Sequence, residues 1–135
     1  MPKHVQISVA LRNEVGTLCR LCGMLALAKV NIGGLAIDDC TDEGFIRLIV
    51  DQPDDAKRVL DAAKVTHLAQ EVLVLDLENS PGALQRASAR LAEAGINIHY
   101  AYGTADLAGR GGALVLRVSD LERAVELLEG TTGAR

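Results

Sequence analysis

Aromatic side chains are scarce. The chain has no Trp, and only Phe45, Tyr100 and Tyr102 carry aromatic rings. A platform for stacking nucleic-acid bases needs more than that, so the core must be Leu, Val, Ile and Ala. Clusters of Lys and Arg are missing too. The net charge is -4, which excludes the basic face that a phosphate-backbone binder requires. No apolar run reaches the ~18 residues of a membrane span. The opening stretch MPKHVQISVALRNE turns polar too early for a secretory leader. Three Cys, an odd count, are then expected to be reduced, and a cytoplasmic location is the simplest account. His4, His67 and His99 are scattered, with no metal-ligand spacing, Ser-His-Asp set or paired carboxylates around them. No catalytic role is expected, and neither a cofactor nor a metal.

What is present is a duplication. Asn13, Gly16, Leu18 and Leu25 recur 66 positions later as Asn79, Gly82, Leu84 and Leu91. Ala28, Asn31 and Ile32 recur as Ala94, Asn97 and Ile98. After a two-residue insertion in AYGTADLAGRGG, Ala56, Val59 and Leu60 match Ala124, Leu127 and Leu128. Loops absorb such length changes. The expected domains are residues 1–68 and 69–135.

Each copy reads strand, helix, strand, strand, helix. Val5, Ile7, Val9 and Leu11 alternate with His4, Gln6, Ser8 and Ala10, the period of a half-buried strand. EVLVLDL is its partner in copy two. Leu18, Leu21, Cys22, Leu25 and Ala28 form one helical stripe, repeated by Leu84, Ala87, Ser88, Leu91 and Ala94. NIGGLAIDD and FIRLIV, then NIHYAYGTA and GALVLRV, supply the next strands. Pro53 suits the first turn of one closing helix. Ser119 and Glu122 suggest a capping box for the other, with Gly130 ending it. VTHLAQ supplies a fourth strand in copy one. TTGAR gives no clear counterpart in copy two, which would leave an edge of EVLVLDL open to a second chain. The fold class is α+β: two ferredoxin-like βαββαβ units with antiparallel sheets, the second lacking a clear last strand.

The junction NSPGAL carries the chemistry. Pro81 needs no N–H partner in a first turn, Gly82 lets the backbone approach a ligand, and Asn79 can cap the helix or meet that ligand. First-turn N–H groups, bare and partly positive, suit a carboxylate. A plain helix cap is the competing account, and the duplication weighs against it.

These residues resemble the ACT family of small ligand-sensing modules. Asn79-Ser80-Pro81-Gly82-Ala83-Leu84 follows the family's [DN]-x-P-G-x-L motif, and Gly95-Ile96-Asn97-Ile98 follows its G-[IV]-N-I pattern. Copy one matches less well, with Asn13-Glu14-Val15-Gly16-Thr17-Leu18 and Lys29-Val30-Asn31-Ile32; Val15 replaces Pro and Lys29 replaces Gly. The resemblance implies a regulatory protein, an allosteric sensor that binds a free amino acid where two units meet. Asn79, Pro81, Gly82, Ala83 and Leu84 would then face Asn31 and Ile32, and Asn13, Gly16, Thr17 and Leu18 would face Asn97 and Ile98. The open edge of EVLVLDL makes a homodimer the expectation, and the resemblance implies an amino-acid-metabolism enzyme as partner. The alternative is a ligand-free assembly adaptor that pairs with such an enzyme through its sheets. Leu11 and Leu77 stand where some members carry His, which points to an apolar ligand side chain.

Other features carry less. Cys19 and Cys22 make a C-x-x-C, but Cys22 falls on the helical stripe, so packing is the expected role. Tyr100 and Tyr102 share a strand face; they either fill a seam between units or shield the sheet. Asp38 and Asp39 beside Cys40 read as a solvated turn. The Gly residues of AGRGGA precede a strand, so a hairpin loop fits and a phosphate cradle does not.

Overall fold

The structure is a computed structural model that describes residues 3–12, 14–37, 43–78, 80–105 and 112–128. The described chain runs β1 (Lys3–Arg12), α1 (Thr17–Leu27), β2 (Ile32–Ile37), β3 (Glu43–Val50), α2 (Pro53–Ala62), β4 (His67–Leu77), α3 (Ala83–Glu93), β5 (Ile98–Ala105), β6 (Gly112–Val118) and α4 (Leu121–Leu128). The repeated βαββαβ-like pattern with antiparallel strands is as the sequence indicates. Contacts divide the chain into Val5–Gln70, the first unit, and Met1–His4 with Glu71–Arg135, the second.

In the first unit β3 pairs antiparallel with both β1 and β2. Ile7 lies opposite Leu48 and Val9 opposite Ile46, so one face gathers branched side chains. Leu21 and Leu25 of α1 and Ala56 and Leu60 of α2 close that core. Truncating Leu21, which is 0% exposed, should cost about 2–5 kcal/mol. In the second unit β6 pairs antiparallel with β4 and β5. Leu73, Leu75, Leu116 and Val118 meet Leu91 of α3 and Ala124, Val125 and Leu128 of α4.

Both second strands begin alike. The β2–β3 register slips between Ile32 and Gly34, and the β5–β6 register slips between Ile98 and Tyr100. The extra residue bends the strand next to Asn31 and Asn97, as bulges do. Both opening helices also end alike, on a left-handed residue: Lys29 at φ 59° and Gly95 at φ 73°. Val30 N–H and Ile96 N–H then reach back to Leu25 C=O and Leu91 C=O.

Several sequence expectations give way. VTHLAQ and EVLVLDL are not two strands; β4 runs through both as one 11-residue strand, because no Gly, Pro or Asn interrupts them. Gln6 and Ser8 are buried, not solvated, so the middle of β1 is covered on both faces. Gln6 Nε2 donates to Ser8 Oγ at 3.4 Å, which partly offsets the cost of removing them from water. The Ser119–Glu122 box does not form. The helix starts later, Asp120 Oδ1 accepts from Arg123 N–H at 3.2 Å, and Glu122 instead accepts from Lys3 Nζ at 3.0 Å. Pro53 does open α2, following Gln52. Gly130, TTGAR and the AGRG stretch before β6 lie outside the described residues.

Candidate functional site

The two junctions share one backbone conformation. Gly16 has φ 88° and ψ -6°; Gly82 has φ 88° and ψ -7°. Only Gly holds that left-handed state without a penalty. The hydrogen bonds match as well. Glu14 N–H donates to Arg12 C=O and Ser80 N–H to Glu78 C=O; Thr17 N–H donates to Glu14 C=O and Ala83 N–H to Ser80 C=O. The first helical bonds are Arg20 N–H to Gly16 C=O and Arg86 N–H to Gly82 C=O. Val15 therefore builds the same turn as Pro81, because the glycine that follows each sets the geometry.

Neither helix start carries a side-chain cap. Ahead of those first helical bonds, the N–H groups of Leu18 and Cys19, and of Leu84 and Gln85, have no helical partner. Such groups form a small electropositive cup. Thr17 is buried, and its hydroxyl donates to Arg12 C=O at 2.9 Å, bracing the first junction. Ala83 cannot do this in the second. Asn13 and Asn79 lie outside the described residues.

A pocket of about 530 Å³ opens at the first junction. Gly16, Thr17 and Leu18 line it, as do Leu11 and Arg12 at the end of β1. Ile37, Gly44, Phe45 and Ile46 of the β2–β3 hairpin form another wall, and Glu14, Cys19 and Cys22 complete the rim. The motif reading missed the hairpin wall and Arg12. The signal for them lay in strand pairing, since Val9 opposite Ile46 and Ala10 opposite Phe45 bring the hairpin's mouth beside Leu11.

In the second unit, Asn97 and Ile98 line a shallower pocket of about 340 Å³ with Gln85, Ser88, Ala89 and Ala92 of α3. Pro81, Gly82, Ala83 and Leu84 do not line it. Likewise Asn31 and Ile32 do not line the pocket at the first junction. Ile32 and Ile98 pack against the cores of their own units. Leu84, expected on the helical stripe, is 53% exposed, while its counterpart Leu18 packs against the core.

The backbones of Asn31 and Asn97 are held in the same way. Asn31 N–H donates to Asp51 Oδ1 at 2.8 Å, and Asp51 N–H returns to Asn31 C=O at 3.1 Å. Asn97 N–H donates to Ser119 Oγ at 2.9 Å, and Ser119 N–H returns to Asn97 C=O at 2.9 Å. Both Asn residues are exposed, so the clamp fixes the backbone and presents the amide outward. The Asn97 amide lies 3.3 Å from His99 Nδ1. Tyr100 and Tyr102 stack on each other with centroids 6.5 Å apart.

Among the described residues no cluster of three or more His, Cys, Asp or Glu could hold a metal, and no helix is long and apolar enough to cross a membrane.

Residues 3–131 match the family model described as an ACT domain pair. Among solved structures, protein BT0572 from Bacteroides thetaiotaomicron is similar at 28% identity and a TM-score of 0.90, over 98% of this chain and 91% of that one. The regulatory subunit of aspartate kinase from Thermus thermophilus, in its ligand-free form, has a TM-score of 0.67 at 14% identity, over 96% and 93% of the two chains. The corresponding subunit from Thermus flavus has a TM-score of 0.68 at 13% identity, over 95% and 90%. No curated protein matches the chain.

Proposed function

The chain belongs to the ACT domain-pair family, and on that footing we propose that it is a non-catalytic regulatory protein that senses a free amino acid. The observation that carries this reading is the pair of uncapped, left-handed glycine junctions with one geometry. A zwitterion's carboxylate would sit on the first-turn N–H groups, Leu18 and Cys19 in one unit and Leu84 and Gln85 in the other. The exposed Asn31 and Asn97 amides would meet the amino or carboxyl group. Asn13 and Asn79 belong to the same proposed sites by their place in the motif. The apolar walls from Leu11, Ile37 and Phe45 favour an aliphatic side chain on the ligand. Output requires the bound and free forms to differ in affinity for a partner. That partner would be an enzyme of amino-acid metabolism or a second copy of the chain.

The test is thermal unfolding against each of the twenty amino acids. A ligand at 100 times its Kd should add about 2.7 kcal/mol to the stability. Val15 at 100% and Leu27 at 90% exposure favour the second reading, a ligand-free adaptor. A flat panel together with co-purification of an enzyme would establish that reading instead.

A further inference from the structure

Packing does not account for Cys19 and Cys22. Cys19 is exposed and Cys22 only half-buried, although the helical pattern had placed Cys22 in the core. Both line the pocket of about 530 Å³ at the first junction. The second repeat has Gln85 and Ser88 at the matching positions, so the fold does not need sulfur there. What remains is a pair of accessible thiols, one helical turn apart, at the rim of an apolar hollow.

The helix decides what the pair can do. Residues three apart on a helix have Cβ atoms about 5–6 Å apart. A disulfide needs about 3.5–4.5 Å between Cβ atoms and about 2.05 Å between sulfurs, so closing one would draw the two Cβ atoms about 1–2 Å together at the start of α1. A bridging metal with bonds of about 2.3 Å spans roughly 4.6 Å between sulfurs and leaves the helix intact. Zinc and iron–sulfur sites want four ligands, and no cluster of three or more is present among the described residues. Among the described residues no third ligand joins the two thiols, and two thiolates suit a soft ion content with two-coordination. The geometry points to a Cu(I)-class site on Cys19 and Cys22. On binding, two S–H bonds give way to two S–metal bonds and two protons leave; no electron is transferred. Leu11, Ile37 and Phe45 on the same pocket would keep competing water away. The thiol site shares its pocket with the proposed amino-acid site, but its support is the two cysteines and not that reading.

Ag(I), a redox-inert stand-in, tests it. The full-length chain with Cys40→Ser removes the third thiol from the readout. Titration should show one Ag(I) per chain, a thiolate-to-metal ultraviolet band and two protons released. Adding Cys19→Ser or Cys22→Ser should weaken binding at least ~10-fold, since each single variant loses the second, effectively intramolecular ligand. The double variant should lose the band, with unfolding unchanged in the absence of Ag(I). Equal affinity in a single variant and its parent, or a band that survives in the double variant, overturns the proposal.

Discussion

Asn31 and Asp51 hold each other by two hydrogen bonds, Asn31 N–H to Asp51 Oδ1 at 2.8 Å and Asp51 N–H to Asn31 C=O at 3.1 Å. Twenty residues apart in sequence, they tie the residue just before β2 to the residue just after β3. Asp51→Ala removes the carboxylate bond and should lower stability by about 1 kcal/mol, read from urea midpoints. Ser119→Ala removes the equivalent bond to Asn97 and should cost slightly less, because its acceptor is uncharged. If ligand binding uses the Asn amides, both variants should also bind less well than their stability loss explains.

Lys29 occupies a position that prefers glycine. Its φ of 59° matches the 73° of Gly95, and a side chain there costs roughly 1–2 kcal/mol. Lys29→Gly should therefore raise stability by about 0.5–1 kcal/mol once the looser unfolded chain is counted. Gly95→Ala should lower it by a similar amount. Thermal melts of the two variants check both signs.

The junction glycines make a paired prediction. At Gly82 a Cβ would lie 2.9 Å from Arg86 Nη1, and at Gly16 it would lie 3.7 Å from Arg20 Nη1. Each arginine head can swing aside, so the positive φ sets the cost. Gly16→Ala and Gly82→Ala should each lose about 1–2 kcal/mol. Gly82→Val and Gly16→Val should abolish amino-acid binding at their own junction and spare the other, as calorimetric stoichiometry would show.

Lys3 gives a pH dependence. Its hydrogen bond to Glu122, then the charges of Glu122 and Glu71, raise its pKa above the ordinary 10.5. A raised pKa means the folded state holds the proton more tightly. The contribution is complete below pH 10.5 and fades as pH climbs through the raised value. The melting-temperature difference between the parent and Lys3→Met should be present at pH 9 and shrink through the alkaline range above ~10.5.

Much of this was legible in the residues. The two-residue spacing of Ile7 and Val9 and the four-residue spacing of Leu21 and Leu25 report which side meets a core, and burial enforces that locally. Gly16 and Gly82 announced the junction because only their backbone permits it. Burial of Gln6 and Ser8 was not legible, since polarity along one strand says nothing of what covers its far face. Leu84 defeated the stripe: it is 53% exposed, although Leu18 at the matching place packs against its core. The pocket's hairpin wall needed the β1–β3 register, which no local motif encodes. The cap at Asp120 was missed because Ser119 is an equally good capping residue, and the choice fell to the tie between Ser119 and Asn97.

Lys3 and His4 group with the second half, while Val5 opens the first half and β4 crosses from one to the other. Gene fission at the repeat boundary would thus yield fragments that each lack a piece borne by the sibling. The border written by the repeat and the border drawn by packing therefore fall at different places along the chain.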